Sequence, residues 1–170
     1  MIRKPQVGEY NEFYATYISK IEGDNMMKLL REQLTGFSSF LSAISEETSE
    51  YAYAPGKWSI KGVLAHINDV ERIFAYRALC IARGEKTPLP GMDENEYQAA
   101  SPYKIRTFSS LTDEFVAIRT TTLYLFEDMP ESDTLKVGTA SGHPVSVRAL
   151  AAMIYGHCEH HRGIIQNRYL

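Results

Sequence analysis

Three of the five histidines in the chain have a spacing that suits a metal ion. His157 and His161 lie four residues apart near the C-terminus, and residues four apart on a helix project from one face. His66 lies far upstream, in an apolar stretch that predicts a second helix. Two imidazoles on one helix and a third on its neighbour can bind a divalent ion and leave coordination positions open for water or substrate. The spacing therefore favours a reactive metal site over a structural one.

The same histidines have a simpler interpretation. A single histidine on an apolar helix face, such as His66, is commonly a core residue hydrogen-bonded to a carbonyl. This interpretation is weaker for His157 and His161, because two imidazoles on a buried face are costly to desolvate without partners. The spacing alone leaves both interpretations open. The chain contains no H-E-x-x-H, G-x-S-x-G, Walker or G-x-G-x-x-G motif that would indicate another chemistry.

The composition predicts a single domain spanning residues 1–170, because 170 residues of which 44% are hydrophobic suffice for one core. A formal net charge of -3 and the lack of a basic block give no reason to expect nucleic acid as a partner. No signal-peptide core and no apolar run of roughly 20 residues is found, so no membrane partner is expected. Cys80 and Cys158 form neither a C-x-x-C pair nor a disulfide framework, which favours a cytoplasmic location.

Apolar residues recur at helical spacing in four long segments. The first helix is predicted from about Asn25 to Ile44, the second from Ser59 to about Arg83, the third from Ser109 or Ser110 to Pro130, and the fourth from Ser146 almost to the C-terminus. Ser110 and Asp113 fit a capping box at the start of the third helix. Because each helix must bury its apolar stripe against the others, the fold class is predicted to be all-α, a four-helix bundle.

The connections between these helices differ in character. Residues 9–21 predict an extra short N-terminal helix. Residues 84–108 form a long connection that contains three prolines and a possible short helix at 92–100, and we expect substrate specificity to be determined there. Residues 135–145 predict a tight crossing or a short hairpin. The length of the second connection leaves the order of the helices around the bundle open.

Two motifs resemble the DinB-like superfamily, whose members include bacillithiol S-transferases. They are Lys57-Trp58-Ser59-Ile60 and the run G-H-C-E-H-H-R-G-I-I-Q at residues 156–166, with His66 between them. The resemblance covers nearly the whole chain. It implies a divalent metal ion, often nickel or zinc, that is bound by His66, His157 and His161, and it implies frequent homodimers. Members of known chemistry join a low-molecular-weight thiol to an electrophile or isomerise with thiol assistance, and others are called metal-dependent hydrolases.

We therefore expect a metal-dependent enzyme that transfers a low-molecular-weight thiol to an electrophilic small molecule. An ion held by three neutral imidazoles keeps its full charge and can deprotonate a bound thiol. Hydrolysis by a metal hydroxide is an alternative, because the same ion lowers the pKa of bound water. A second alternative is a non-catalytic bundle that binds metal or ligand in a stress response.

Several polar side chains near the three histidines have less certain roles. Asp69, one helical turn from His66, and His160 are candidate catalytic groups, although each also suits a solvated position. Glu71 is predicted to be a surface or ion-pair residue. Trp58 is predicted to anchor the start of the second helix, and Cys158 to be a small buried thiol.

Overall fold

Eight helices and one hairpin make up the computed structural model, which describes residues 1–170. In chain order the elements are α1 (Ala15–Ile18), α2 (Met26–Ser42), α3 (Glu46–Ser49), α4 (Ile60–Ala82), α5 (Glu94–Ala100), α6 (Phe108–Glu127), α7 (Glu131–Thr134), β1 (Val137–Ala140), β2 (His143–Ser146) and α8 (Val147–Arg168). Two short 3-10 helices, Glu12–Tyr14 and Pro102–Ile105, precede α1 and α6. No helix combines the length and apolarity needed to cross a membrane.

Short polar side chains begin three of the long helices at the predicted positions. Asn25, Ser59 and Ser146 each have extended backbone angles, and each side chain accepts a hydrogen bond from a free N–H in the first helical turn. At the other end of α4, Gly84 has a φ of 91°, which stops the helix at the predicted place.

The predicted start of the third helix is wrong by a few residues. Thr107, rather than Ser109 or Ser110, is the N-cap of α6, and its side chain accepts a hydrogen bond from the Ser110 N–H at 3.1 Å. Ser110 and Asp113 therefore do not form a capping box. The earlier start is supported from outside the helix, because the Glu46 carboxylate accepts a hydrogen bond from the Phe108 N–H at 2.7 Å.

The long helices form the predicted four-helix bundle, but consecutive helices are not neighbours throughout. α4 packs against α6 and α8, and α2 packs against the same two helices. α2 and α4 therefore lie diagonally across the bundle, as do α6 and α8. This arrangement makes α4 and α8, which carry all three candidate ligands, direct neighbours.

The shorter elements pack against the long helices of the bundle. Residues 137–146 form an antiparallel hairpin, and residues 94–100 form the short helix α5, both as predicted. The N-terminal helix is present but much shorter than residues 9–21, because the chain leaves the helix after Ile18 and turns at Ser19. This single turn packs against α8.

A buried polar network links the four long helices. Arg119 of α6 is fully buried, and its guanidinium donates to both carboxylate oxygens of Glu71 on α4, at 2.7 and 2.8 Å. It also donates to Gln33 of α2 at 2.6 Å, and Gln33 in turn donates to the Tyr155 carbonyl and the Glu159 carboxylate of α8. The prediction of Glu71 as an ion-pair residue is thus confirmed, whereas a surface position is wrong.

Candidate metal centre

Three imidazole rings converge where α4 meets α8. The ring centroids of His66, His157 and His161 lie 4.5–4.9 Å apart, with His66 on α4 and the other two rings on α8. The Nε2 atoms of His66 and His157 are 3.0 Å apart, and one nitrogen from each of the three rings lies within 4.8 Å of the others. The structure therefore brings together the three histidines that the sequence singles out.

Burial keeps these three rings neutral. Desolvation lowers the pKa of His66 from 6.5 to about 4. Desolvation also lowers the pKa values of His157 and His161 well below 6.5, and the neighbouring imidazoles add to the effect. Neutral imidazole is the form that binds a metal ion, so at neutral pH the cluster needs no proton release to act as a ligand set.

The ligand set fits a divalent ion better than it fits an ordinary polar core. Nδ1 of His161 is buried without any hydrogen-bond partner, although buried polar atoms in proteins are nearly always partnered. Two ring nitrogens of neighbouring histidines also face each other at 3.0 Å. Three nitrogen ligands without a carboxylate suit nickel, zinc, iron or copper and leave positions open.

Two cavities reach this cluster. The first, here called the main cavity, has a volume of about 330 Å³, and His66 and His157 form part of its wall. The second, here called the side cavity, has a volume of about 230 Å³, and His161 forms part of its wall. Glu94 and Asn95, at the start of α5, border both cavities. The predicted specificity connection, residues 84–108, therefore does contribute to the walls of both cavities.

Aromatic side chains surround the three rings. Tyr17 of α1 packs edge-on against His157 at 5.4 Å between ring centroids, and Trp58 packs on His66 at 5.0 Å. Tyr17 is held there by a close approach of two backbones: a Cβ on Gly156 would lie 2.6 Å from the Tyr17 carbonyl carbon. Gly156 of the G-H-x-x-H-H run is therefore required by packing as well as by its place in the motif.

The structure does not bring every candidate residue to the cluster. Asp69 lies 3.7 Å from Arg72 and faces a separate crevice beside α5, so it is not placed to orient a ligand or accept a proton at the cluster. His160 is half-buried, with its ring 5.1 Å from that of His161, and it is outside the group of converging nitrogens. Desolvation and the charge of Lys20 lower its pKa, so His160 is also neutral at pH 7.

Sequence reasoning did not assign Tyr17 or Arg77 to the main cavity. Tyr17 belongs to a segment far from either motif, and only the packing on Gly156 places it over His157. Arg77 lines the main cavity from α4. Its signal was present in the sequence, because Arg77 follows His66 by three helical turns and so shares its face.

Comparisons with known proteins agree with this architecture. Residues 29–165 match a family model described as the DinB superfamily. Comparison with curated proteins gives no significant match. YfiT from Bacillus subtilis, described as a probable metal-dependent hydrolase with an unusual four-helix bundle topology, is similar in structure with a TM-score of 0.76 and 13% identity, over 96% of this chain and 89% of that chain.

A second solved structure has the same fold over part of its length. The mycothiol-dependent maleylpyruvate isomerase is similar with a TM-score of 0.67 and 17% identity, over 81% of this chain and 58% of that chain. At such identities the two likenesses concern the fold alone. The family model, in contrast, spans most of the sequence, including all three converging histidines. The chain belongs to the DinB superfamily.

Proposed function

We propose that this protein is a metal-dependent enzyme that transfers a low-molecular-weight thiol to an electrophilic small molecule. The observation that carries the proposal is the position of the three neutral histidines between two cavities. A hydrolase needs room for one organic substrate and water, whereas a transferase needs room for two organic molecules. With one reactant in the main cavity and the other in the side cavity, both reach the same centre.

His66, His157 and His161 would hold the metal ion. A nickel or zinc ion bound there supplies a Lewis acid that favours the deprotonated form of a thiol at neutral pH. The protein's own residues supply the position and the surroundings. The three imidazoles are neutral, so they would not reduce the positive charge of a bound ion, and this charge would attract an anionic sulfur.

The thiol must come from outside the chain. Cys158 is fully buried, and desolvation raises the pKa of its thiol to about 12, so it stays protonated and inaccessible. Cys80, the other cysteine, is half-buried on α4 and lies in the wall of neither cavity. An exogenous thiol is therefore the nucleophile that the proposed reaction requires.

Aromatic residues pack against the rings of the cluster. Trp58 and Tyr17 cover His66 and His157 from different elements. Desolvation raises the pKa of Tyr17 to about 12, so its hydroxyl keeps its proton and can donate a hydrogen bond into the main cavity. A shielded centre protects a thiolate from competing protonation by bulk water. An isomerase with the same fold is described as mycothiol-dependent, so a bundle of this kind can accommodate thiol chemistry.

Conjugation assays test the proposal directly. Protein loaded with zinc or nickel is incubated with cysteine, glutathione, coenzyme A, bacillithiol or mycothiol and the chromogenic electrophile 1-chloro-2,4-dinitrobenzene. We expect conjugation that depends on metal, is lost in His161→Ala and is retained in His160→Ala, the matched neighbour outside the cluster. No metal-dependent conjugation with any thiol would contradict transfer.

Two further measurements on the same metal-loaded protein distinguish thiol transfer from the alternatives. Metal-dependent cleavage of 4-nitrophenyl acetate without thiol, together with no conjugation, would instead support hydrolysis by a metal hydroxide. Stoichiometric metal binding with neither activity would support the non-catalytic bundle.

A further inference from the structure

The wall of the main cavity contains a buried arginine. Arg77 lies on α4 three turns, or about 16 Å of helix, beyond His66. It is only 4% exposed, yet it forms part of the cavity wall, together with His66 and His157. The cavity wall therefore includes both two of the converging histidines and Arg77.

Arg77 differs from the other buried cations of the chain. Lys61, 2% exposed, contacts the carboxylates of Glu46 and Glu50, and Arg119, fully buried, pairs with Glu71. Arg77 takes part in no ion pair, so no carboxylate oxygen lies within 4.0 Å of its nitrogens. A buried charge without a counter-charge is costly, and proteins seldom keep one without a partner.

The hydrogen bonds of Arg77 position its guanidinium but do not neutralise it. Nη2 donates to the Pro90 carbonyl at 2.7 Å and to the Ser141 hydroxyl at 3.0 Å, and both acceptors are uncharged. Burial lowers the pKa of Arg77, and the facing Tyr14 hydroxyl opposes this only in part. These two bonds and the Tyr14 hydroxyl use only part of the N–H groups that a guanidinium carries, so donors remain for a further acceptor.

The rest of the cavity wall suits an apolar body between two polar ends. Phe74, Val70, Ile73 and Met92 lie along it, and Phe74 also stacks under the Arg77 guanidinium at 5.8 Å. Asp93 and Glu94 are exposed at the rim, so solvent screens their charges, and neither pairs with Arg77.

We propose that the main cavity binds an electrophilic substrate that carries a carboxylate, with the carboxylate on Arg77 and the apolar body along α4. The reactive end of the substrate then points towards His66 and His157. The identity of the reactive end rests on the proposed thiol transfer. The binding of a carboxylate at Arg77 does not rest on thiol transfer, because it depends only on the cavity and its one unpaired cation.

Calorimetric binding to metal-free protein tests the carboxylate site without any reaction. The probes are 5-phenylpentanoate and its neutral amide, 5-phenylpentanamide, which share an apolar body. We expect the acid to bind at least about tenfold more tightly than the amide, because a hydrogen-bonded ion pair replaces a neutral contact. Equal affinities, or no binding of either probe, would overturn the proposal. So would an acid preference that appears only after zinc is added, because the carboxylate would then be binding the metal.

Three variants identify the residue responsible. Arg77→Met should abolish the preference for the acid, and Arg77→Lys, which keeps the charge but loses the planar donors, should retain part of it. Arg83→Met removes the same charge from the exposed end of the same helix and should keep the full preference. A preference that survives Arg77→Met overturns the proposal; if this variant does not fold, an undiminished preference in Arg77→Lys has the same meaning. Conjugation is not measured here, so failure of thiol transfer would leave this result intact.

Discussion

At the scale of single residues, burial decides which groups of the site carry a charge. Burial lowers the pKa of each of the three converging histidines, so the rings of His66, His157 and His161 are neutral at pH 7. Burial raises the pKa of Cys158, so its thiol keeps the proton that a reactive thiol would lose. Arg77 keeps its charge at the far end of the cavity without a carboxylate partner. The result is a neutral ligand set for a cation at one end and a cationic group for an anion at the other.

The buried pair Arg119–Glu71 makes a strong stability prediction at this scale. Arg119→Met leaves the Glu71 carboxylate buried without a partner, so we expect the free energy of unfolding to fall by about 3–5 kcal/mol. Urea denaturation measures the change. Arg31→Met breaks a pair whose two side chains are about half exposed, and its effect should stay below about 1 kcal/mol. Equal effects of the two substitutions would show that the buried network contributes no more than a surface pair.

Sequence reasoning succeeded where the signal is local. His157 and His161 are four residues apart, and the resemblance of two motifs to the DinB-like superfamily supported His66 as the third ligand. It did not find Tyr17 or the pairing of Glu71 with Arg119, because both depend on which elements become neighbours. Asp69 shows the opposite error. It lies only one helical turn from His66 in the sequence, but its side chain faces a different crevice.

At the scale of elements, the N-terminal segment acts as a cover for the centre. The backbone carbonyl of Tyr17 packs closely against Gly156 of α8. This backbone contact holds the Tyr17 ring against His157. The cap Thr107 was missed because Ser110 and Asp113 offered an equally good local pattern three residues later. The hydrogen bond from Phe108 to Glu46, which favours the earlier start, joins parts of the chain that are distant in sequence.

Gly156 should not tolerate a side chain. A methyl group there overlaps the Tyr17 backbone, which cannot move independently of α1, so Gly156→Ala should lower the free energy of unfolding by about 1–3 kcal/mol. Gly163→Ala is the matched control on the same helix. A Cβ at Gly163 meets nothing within 4 Å, so this substitution should stabilise α8 by about 0.5–1 kcal/mol. Thermal denaturation of both variants gives the comparison, and a neutral Gly156→Ala would argue against the close packing of α1 on α8.

A second tether of the N-terminal segment predicts a pH dependence. Glu9 accepts hydrogen bonds from Arg148 and from the Ser146 hydroxyl at the start of α8. Burial alone would raise the pKa of Glu9, but the bonds to Arg148, Ser146 and the Gln6 backbone outweigh it and lower that pKa below 4.5. A lowered folded-state pKa adds stability above the unfolded value, and this stability is lost as the pH falls through the folded value.

We therefore expect Glu9→Gln to cost about 1–2 kcal/mol at pH 7 and progressively less as the pH falls below 4.5. Urea denaturation across this pH range measures the difference between wild type and variant. Glu12→Gln, an exposed neighbour without an ion pair, serves as control and should show no such trend. A difference that stays constant with pH would mean that the Glu9 charge does not tether the segment.

At the scale of the whole molecule, helix order places the site. Because α2 and α4 are diagonal, α4 and α8 pack side by side and their histidines meet. The periodicity predicted four helices but not which would be neighbours, since a long connection between the second and third helices permits more than one order. Homodimer formation stays a prediction.

Metal binding should stabilise the entire bundle. An ion that binds α4 and α8 together binds only the folded state, so zinc at about a hundred times its dissociation constant should add about 2.7 kcal/mol to the free energy of unfolding. The melting temperature should rise with zinc in wild type and stay constant in His66→Ala. A rise of the same size in that variant would place the binding elsewhere.

The metal content of protein purified without chelator tests the central claim most directly. Elemental analysis should find about one nickel or zinc ion per chain in wild type and in His160→Ala, and almost none in His161→Ala. The two variants remove adjacent imidazoles, of which only one lies among the three converging rings. Equal metal in both variants, or none in the wild type even after exposure to nickel and zinc, would contradict a three-histidine metal centre.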